Sequence, residues 1–124
     1  MKYIIAILFT SLIGCNNTSN LTPKQLRIGT FETFLDDNSA TSIASRNDTI
    51  QIELYNQKRD TFYIDWKSNF EYVLRRKNPK TALDKTDFVV KITGVHKNSY
   101  TFRAYYKGSN FKQTGKVIKI NNLK

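Results

Sequence analysis

Alternation of apolar and polar residues runs through most of the chain beyond Thr22 and limits its folds more than any other feature. In an extended chain, successive side chains point to opposite faces. The run Thr49-Ile50-Gln51-Ile52-Glu53-Leu54-Tyr55 therefore predicts a half-buried antiparallel strand. Ile50, Ile52 and Leu54 are expected on its inner face, and Thr49, Gln51 and Glu53 on its outer face. Phe62, Ile64 and Trp66 alternate with Tyr63 and Asp65; Phe70, Tyr72 and Leu74 with Glu71, Val73 and Arg75. The pattern returns at Phe88, Val90 and Ile92, at Tyr100, Phe102, Ala104 and Tyr106, and at Ile118 and Ile120 between Val117 and Lys119. Weaker strands are expected from Gly29-Thr30-Phe31 to a turn at Asp36-Asp37-Asn38, and from Thr41 to Arg46, ending at Asn47-Asp48.

Turn-forming residues separate these runs at Asn56 to Asp60, Lys67-Ser68-Asn69, Lys97-Asn98 and Lys107 to Asn110. Their lengths suit hairpins. One connection is longer, Asn78 to Thr86; Pro79 excludes a central strand there, and Pro79 to Leu83 is compatible with one helical turn. There is no internal repeat, no long amphipathic helix and no sign of a second domain. The expected fold is all-β: a single small antiparallel meander of seven or eight strands over residues 23–124. To bury its apolar face, the sheet closes as a barrel, half-barrel or sandwich. Trp66, Phe62, Phe70, Tyr72, Phe88 and Phe102 are the expected core. A small meander barrel either fills its interior with side chains or holds a small apolar ligand, and the pattern leaves both open.

The start of the chain reads differently. After Lys2, residues Ile4 to Ile13 are apolar, within the roughly 7–15 residues of a secretory core and short of the roughly 20 that span a bilayer. Leu12-Ile13-Gly14-Cys15 follows and resembles the bacterial lipobox. Residues 1–14 are expected to be a lipoprotein signal peptide, Cys15 the lipidated residue, and residues 15–22 a lipidated Cys and flexible tether. Cys15 is the only cysteine, so no intramolecular disulfide forms, and lipidation accounts for the odd thiol. Each buried lipid methylene contributes about 0.8 kcal/mol, so several acyl chains anchor firmly.

The chain carries +10 at pH 7 and is drawn to anionic surfaces. Its densest basic cluster is Arg75-Arg76-Lys77, followed by Lys80 and Lys85 in the long connection. These five are the candidates for polar contacts with a ligand or partner, because loops on a rigid scaffold carry binding and Arg matches carboxylate or phosphate in bidentate fashion. The plain alternative is a solvated loop.

Motifs for chemistry are sparse. His96 is the only histidine and has no cysteine or triad partner. Asp36-Asp37-Asn38-Ser39 is rich in oxygen but lacks the spacing of an EF-hand. Asp65 and Glu71 flank one turn; an enzyme built on Asp65, Glu71 and His96 requires them to converge in a pocket. No nucleophile elbow, P-loop or zinc-protease motif is present. No catalytic residue, metal site or cofactor is expected.

The segments Ile28-Gly29-Thr30-Phe31, Arg46-Asn47-Asp48-Thr49-Ile50, Asp65-Trp66, Phe70-Glu71-Tyr72-Val73-Leu74 and Ser99-Tyr100-Thr101-Phe102 resemble a group of small Bacteroidetes lipoproteins. Some members of that group carry the transferred name DNA topoisomerase IV. A chain of 124 residues has little room for an ATPase or DNA-cleavage module, and an exported protein does not meet cytoplasmic DNA, so nucleic acid is not an expected partner. The resemblance implies address and fold, with no catalytic residues to carry over. No acidic run follows Cys15, which favours the periplasmic face of the outer membrane. The expected function is a non-enzymatic envelope binding module for a protein, an anionic glycan or a small apolar ligand. The alternatives are a small hydrolase or isomerase, or a purely structural lipoprotein.

Overall fold

The alternating runs form eight strands in a computed structural model that describes residues 19–120. They are β1 (Gly29–Leu35), β2 (Thr41–Arg46), β3 (Ile50–Tyr55), β4 (Lys58–Ser68), β5 (Glu71–Arg76), β6 (Phe88–Val95), β7 (Ser99–Tyr106) and β8 (Gln113–Ile120). Each pairs antiparallel with the next, and β1 pairs with β8 from Thr30↔Ile120 to Leu35↔Gly115. The sheet is thus a closed up-and-down barrel, and closure leaves no free edge to recruit another strand. The signal segment, Cys15 and the tether as far as Thr18 lie outside the described residues.

Turn chemistry sets the register. Tyr55 pairs with Lys58, leaving only Asn56-Gln57 between β3 and β4, at φ 47° and 63°. Two left-handed residues form the type I′ turn that matches strand twist. At the next corner β4 continues to Ser68, so the turn falls at Asn69-Phe70, later than the expected 67–69. Phe70 consequently lies outside the core and is 51% exposed, against its expected burial. The 77–87 connection folds as turns without a helix; Lys85 N–H donates to the Thr81 carbonyl at 3.3 Å, and the Asp84 carboxylate accepts from the backbone of Lys80 and Thr81.

Phe62, Tyr72 and Phe102 are buried in the core, with Trp66 and Phe88 packed half-buried against it. One strand is turned over relative to expectation, and β8 turns inward the half of its pattern that holds Val117 and Lys119. In β3, Gln51 is buried while Leu54 is 52% exposed. In β8, Val117 is buried, and the Lys119 ammonium lies 5.7 Å from the Phe31 ring in the barrel. Gly115 also faces inward: a side chain there would meet the Phe34 carbonyl and the Phe102 ring.

One end of the barrel is plugged by a short helix, α1 (Pro23–Arg27), which the alternation did not predict. Thr22 Oγ1 accepts from the Gln25 N–H at 3.2 Å, and Gln25 Oε1 accepts from the Thr22 N–H at 2.9 Å. This reciprocal cap, with Pro at the first helical position, holds a helix otherwise too short to persist. Its only buried residue, Leu26, is fully enclosed in the core. Leu21 N–H donates to the His96 carbonyl at 2.9 Å, so the packed chain reaches back into the segment expected to be tether.

Candidate functional site: a cup with a cationic floor

Eight strands leave an interior that side chains either fill or line. Below, around Leu26, Phe31 and Tyr100, the interior is filled. Above, it opens into a cavity of about 270 Å³. Its mouth lies at the end opposite α1, among residues such as Leu35, Ala40, Tyr55, Asp60, Arg76 and Gln113. A second hollow of about 200 Å³ lies beside it under the long connection and shares Glu53, Leu74, Arg76, Phe88 and Gln113.

The wall is divided. On β1–β3 it carries Thr33, Thr41, Ser42, Gln51 and Glu53. On β5–β8 it carries Leu74, Phe88, Val90, Phe102 and Val117. The inversion of β3 completes this division, because it turns Gln51 and Glu53 inward beside the hydroxyls of β1 and β2 and the isoleucines outward.

Arg46, at the end of β2, forms part of the floor and is 5% exposed. Its Nε donates to Gln51 Oε1 at 2.8 Å, and Nη1 to the Leu26 carbonyl at 2.8 Å. Nη2 donates to the hydroxyls of Tyr72 at 3.2 Å and Tyr100 at 3.0 Å, which bond each other at 3.1 Å. The guanidinium lies 4.3 Å from the Phe31 ring centroid and 4.8 Å from that of Tyr72, within cation–π range. Gln51 in turn donates to Glu53 Oε1 at 2.7 Å. Among the described residues, no carboxylate forms an ion pair with Arg46.

Burial works against the Arg46 cation, but the two tyrosine hydroxyls outweigh it, and the group stays charged. Burial pushes the Tyr72 hydroxyl well above its ordinary value, so it remains a proton donor at neutral pH. Burial also raises Glu53, against the hydrogen bond from Gln51 and the attraction of Arg46. Lys119 adds a second cation at the plugged end; burial and Arg46 both lower its pKa. Its Nζ donates to the Gln25 carbonyl at 2.8 Å. Arg46 and Lys119 thus bring two cations to the Phe31 ring at the filled end of the barrel. Trp66, the only tryptophan, packs on Tyr72 at 4.7 Å between centroids, and its buried indole N–H has no acceptor among the described residues.

The five expected contact residues cluster at the mouth end, but their roles divide. Arg75 points outward and pairs with Asp87 at 3.0 Å and Asp65 at 3.7 Å. Arg76 lines the cup and pairs with Asp60 at 3.0 Å and Asp84 at 3.1 Å. Lys77, Lys80 and Lys85 are exposed on the connection. Asp65, Glu71 and His96 do not converge. Asp65 pairs with Lys67 at 2.6 Å, Glu71 with Lys91 at 3.7 Å, and His96 is exposed beside the 97–98 turn. Asp36 to Ser39 is a hairpin turn in which Asp37 Oδ1 accepts from the Ser39 N–H at 2.9 Å.

Arg46, Gln51 and Glu53 are the residues that sequence reasoning missed. Arg46 gathers partners 5, 20, 26 and 54 positions away, so no local pattern marks it. No protein-family model, curated protein or solved structure matches this chain.

Proposed function

We propose that this protein is a lipid-anchored envelope lipoprotein whose barrel binds a small amphipathic molecule without transforming it. The observation that carries the reading is the open cup with one polar and one apolar wall. Closing a sheet around side chains alone calls for no such hollow, whereas small-molecule sites are concave, largely apolar and fitted with a few placed polar groups. The anchor rests on Leu12-Ile13-Gly14-Cys15 and the apolar run before it. The periplasmic face of the outer membrane is the proposed address. Arg75, Arg76, Lys77, Lys80 and Lys85 form one side of the rim, where a partner or anionic glycan that delivers the ligand would dock.

Binding is tested with N-phenyl-1-naphthylamine, a neutral dye whose emission rises in apolar surroundings. The native protein is expected to bind it at one site. Ser42→Phe, which places a ring in the cup from β2, is expected to weaken binding at least tenfold while the far-ultraviolet dichroism stays unchanged. Absence of dye binding, or equal binding by both proteins, overturns the reading. The anchor has a separate test: Cys15→Ser is expected to lose lipid labelling and membrane association, and retention of both would remove the lipoprotein assignment.

A further inference from the structure

Arg46 makes an unusual floor for a cup. A buried cation is ordinarily matched by a carboxylate, because neutral acceptors offset only part of its lost hydration. Here its described partners are an amide oxygen, a carbonyl and two hydroxyls. The cup carboxylate Glu53 feels the attraction of Arg46 but bonds to Gln51, and it forms no ion pair with Arg46.

A guanidinium has five N–H groups. Four are used: one by Gln51, one by Leu26, and one each by Tyr72 and Tyr100. The fifth, on Nη1, is free among the described residues. The tyrosine pair has two O–H protons and spends one on the bond between the hydroxyls. When Tyr100 donates to Tyr72, the Tyr72 proton is left over, and Tyr72 lines the cup together with Arg46. One N–H and one O–H thus remain without a partner among the described residues, on two side chains that line the cup, beside a cation that forms no ion pair.

We infer that the cup takes a ligand with a carboxylate head, seated on Arg46 and Tyr72, and an apolar tail along Leu74, Phe88, Val90 and Phe102. This rests on the cup being a binding site. A carboxylate has two oxygens for the two free donors and supplies the direct ion-pair partner that Arg46 lacks. A phosphate dianion would bring three acceptor oxygens and leave some unserved.

The test uses the full protein and two probes that share a tail, octanoate and octanol, titrated by calorimetry and by Trp66 fluorescence. Wild-type protein is expected to bind octanoate at least tenfold tighter than octanol. Arg46→Gln is expected to abolish that preference while octanol binding persists. Because Arg46 also holds α1, the glutamine variant risks misfolding. Tyr72→Phe keeps the Arg46 bond to Leu26 and is expected to reduce the octanoate preference several-fold. Octanol binding as tight as octanoate in the wild-type protein would make Arg46 only a latch for α1, overturning the inference but leaving the cup. Octyl phosphate binding tighter than octanoate would overturn the carboxylate assignment. Binding of none of these probes would remove both the inference and the cup reading.

Discussion

At the scale of single residues, Glu53 links the cup to solution pH. Its carboxyl is raised above its ordinary value by burial in the wall. The folded protein therefore holds that proton more firmly than the unfolded chain does. The stability this confers is complete below the unfolded value of about 4.3 and is lost as pH rises through the folded value. Asp65 and Asp84 shift the other way: hydrogen bonds from Lys67 and from the Lys80 backbone lower them, so their contribution is lost on acidification. Comparing Glu53→Gln with the parent cancels those terms. The variant is expected to melt higher than wild type at neutral pH, with the advantage disappearing near pH 4; melting curves across that range check it. A difference independent of pH would show that the ionised carboxylate carries no cost in the wall. Gly115 is constrained by contact instead. A methyl there would press on the Phe34 carbonyl, which is backbone and cannot turn aside, and on Phe102 ring atoms at 2.9 Å. Gly115→Ala is expected to cost about 1–3 kcal/mol, the range for overpacking, measured by denaturant titration.

At the scale of elements, alternation located the strands better than their faces. Period two marks an extended chain, but which half of the pattern turns inward depends on what the interior is for. In β4, β6 and β7 the apolar half lies inside, as expected. In β3 the polar half lies inside because that arc lines the cup. The displaced apolar residues lie on the outer surface in the cross-strand pairs Ile43↔Leu54 and Ile50↔Tyr63, with Leu54 half-exposed. An inversion of this kind departs from the local rule, and only the closed barrel reveals it. The plug was partly legible: Thr22, Pro23 and Gln25 spell a helix start, but five residues are too few for helical periodicity to register. The β3–β4 turn supplies a test at this scale. Gln57 sits at φ 63° with its side chain in solvent, a conformation glycine adopts without steric cost. Gln57→Gly is expected to stabilise by about 0.5–1 kcal/mol, relief of left-handed strain outweighing added chain entropy. Thermal unfolding should then shift upward by a few degrees.

At the scale of the whole molecule, topology sets the direction in which the cup faces. Antiparallel strands send alternate connections to opposite ends. The 36–40, 56–57, 77–87 and 107–112 connections surround the mouth, whereas α1 and the 47–49, 69–70 and 96–98 connections lie at the plugged end. The chain enters at the plugged end, where Leu21 is tied to His96. Six peptide steps separate Cys15 from Leu21, a reach of about 20 Å when extended. A lipid on Cys15 would therefore hold α1 toward the bilayer and turn the mouth away from it. Lys24 and Lys97 at that end would favour anionic headgroups. Single cysteines at Lys97 and at Lys80, on the 77–87 connection, can report the orientation in lipidated protein, whose own thiol is occupied. On anionic vesicles, labelling by a polymer-linked maleimide is expected to slow several-fold for Lys97→Cys and to stay unchanged for Lys80→Cys. The reverse pattern would place the mouth against the bilayer, making the membrane itself the source of the ligand. The expected pattern instead requires the ligand to arrive from the aqueous side, past the lysines of the rim.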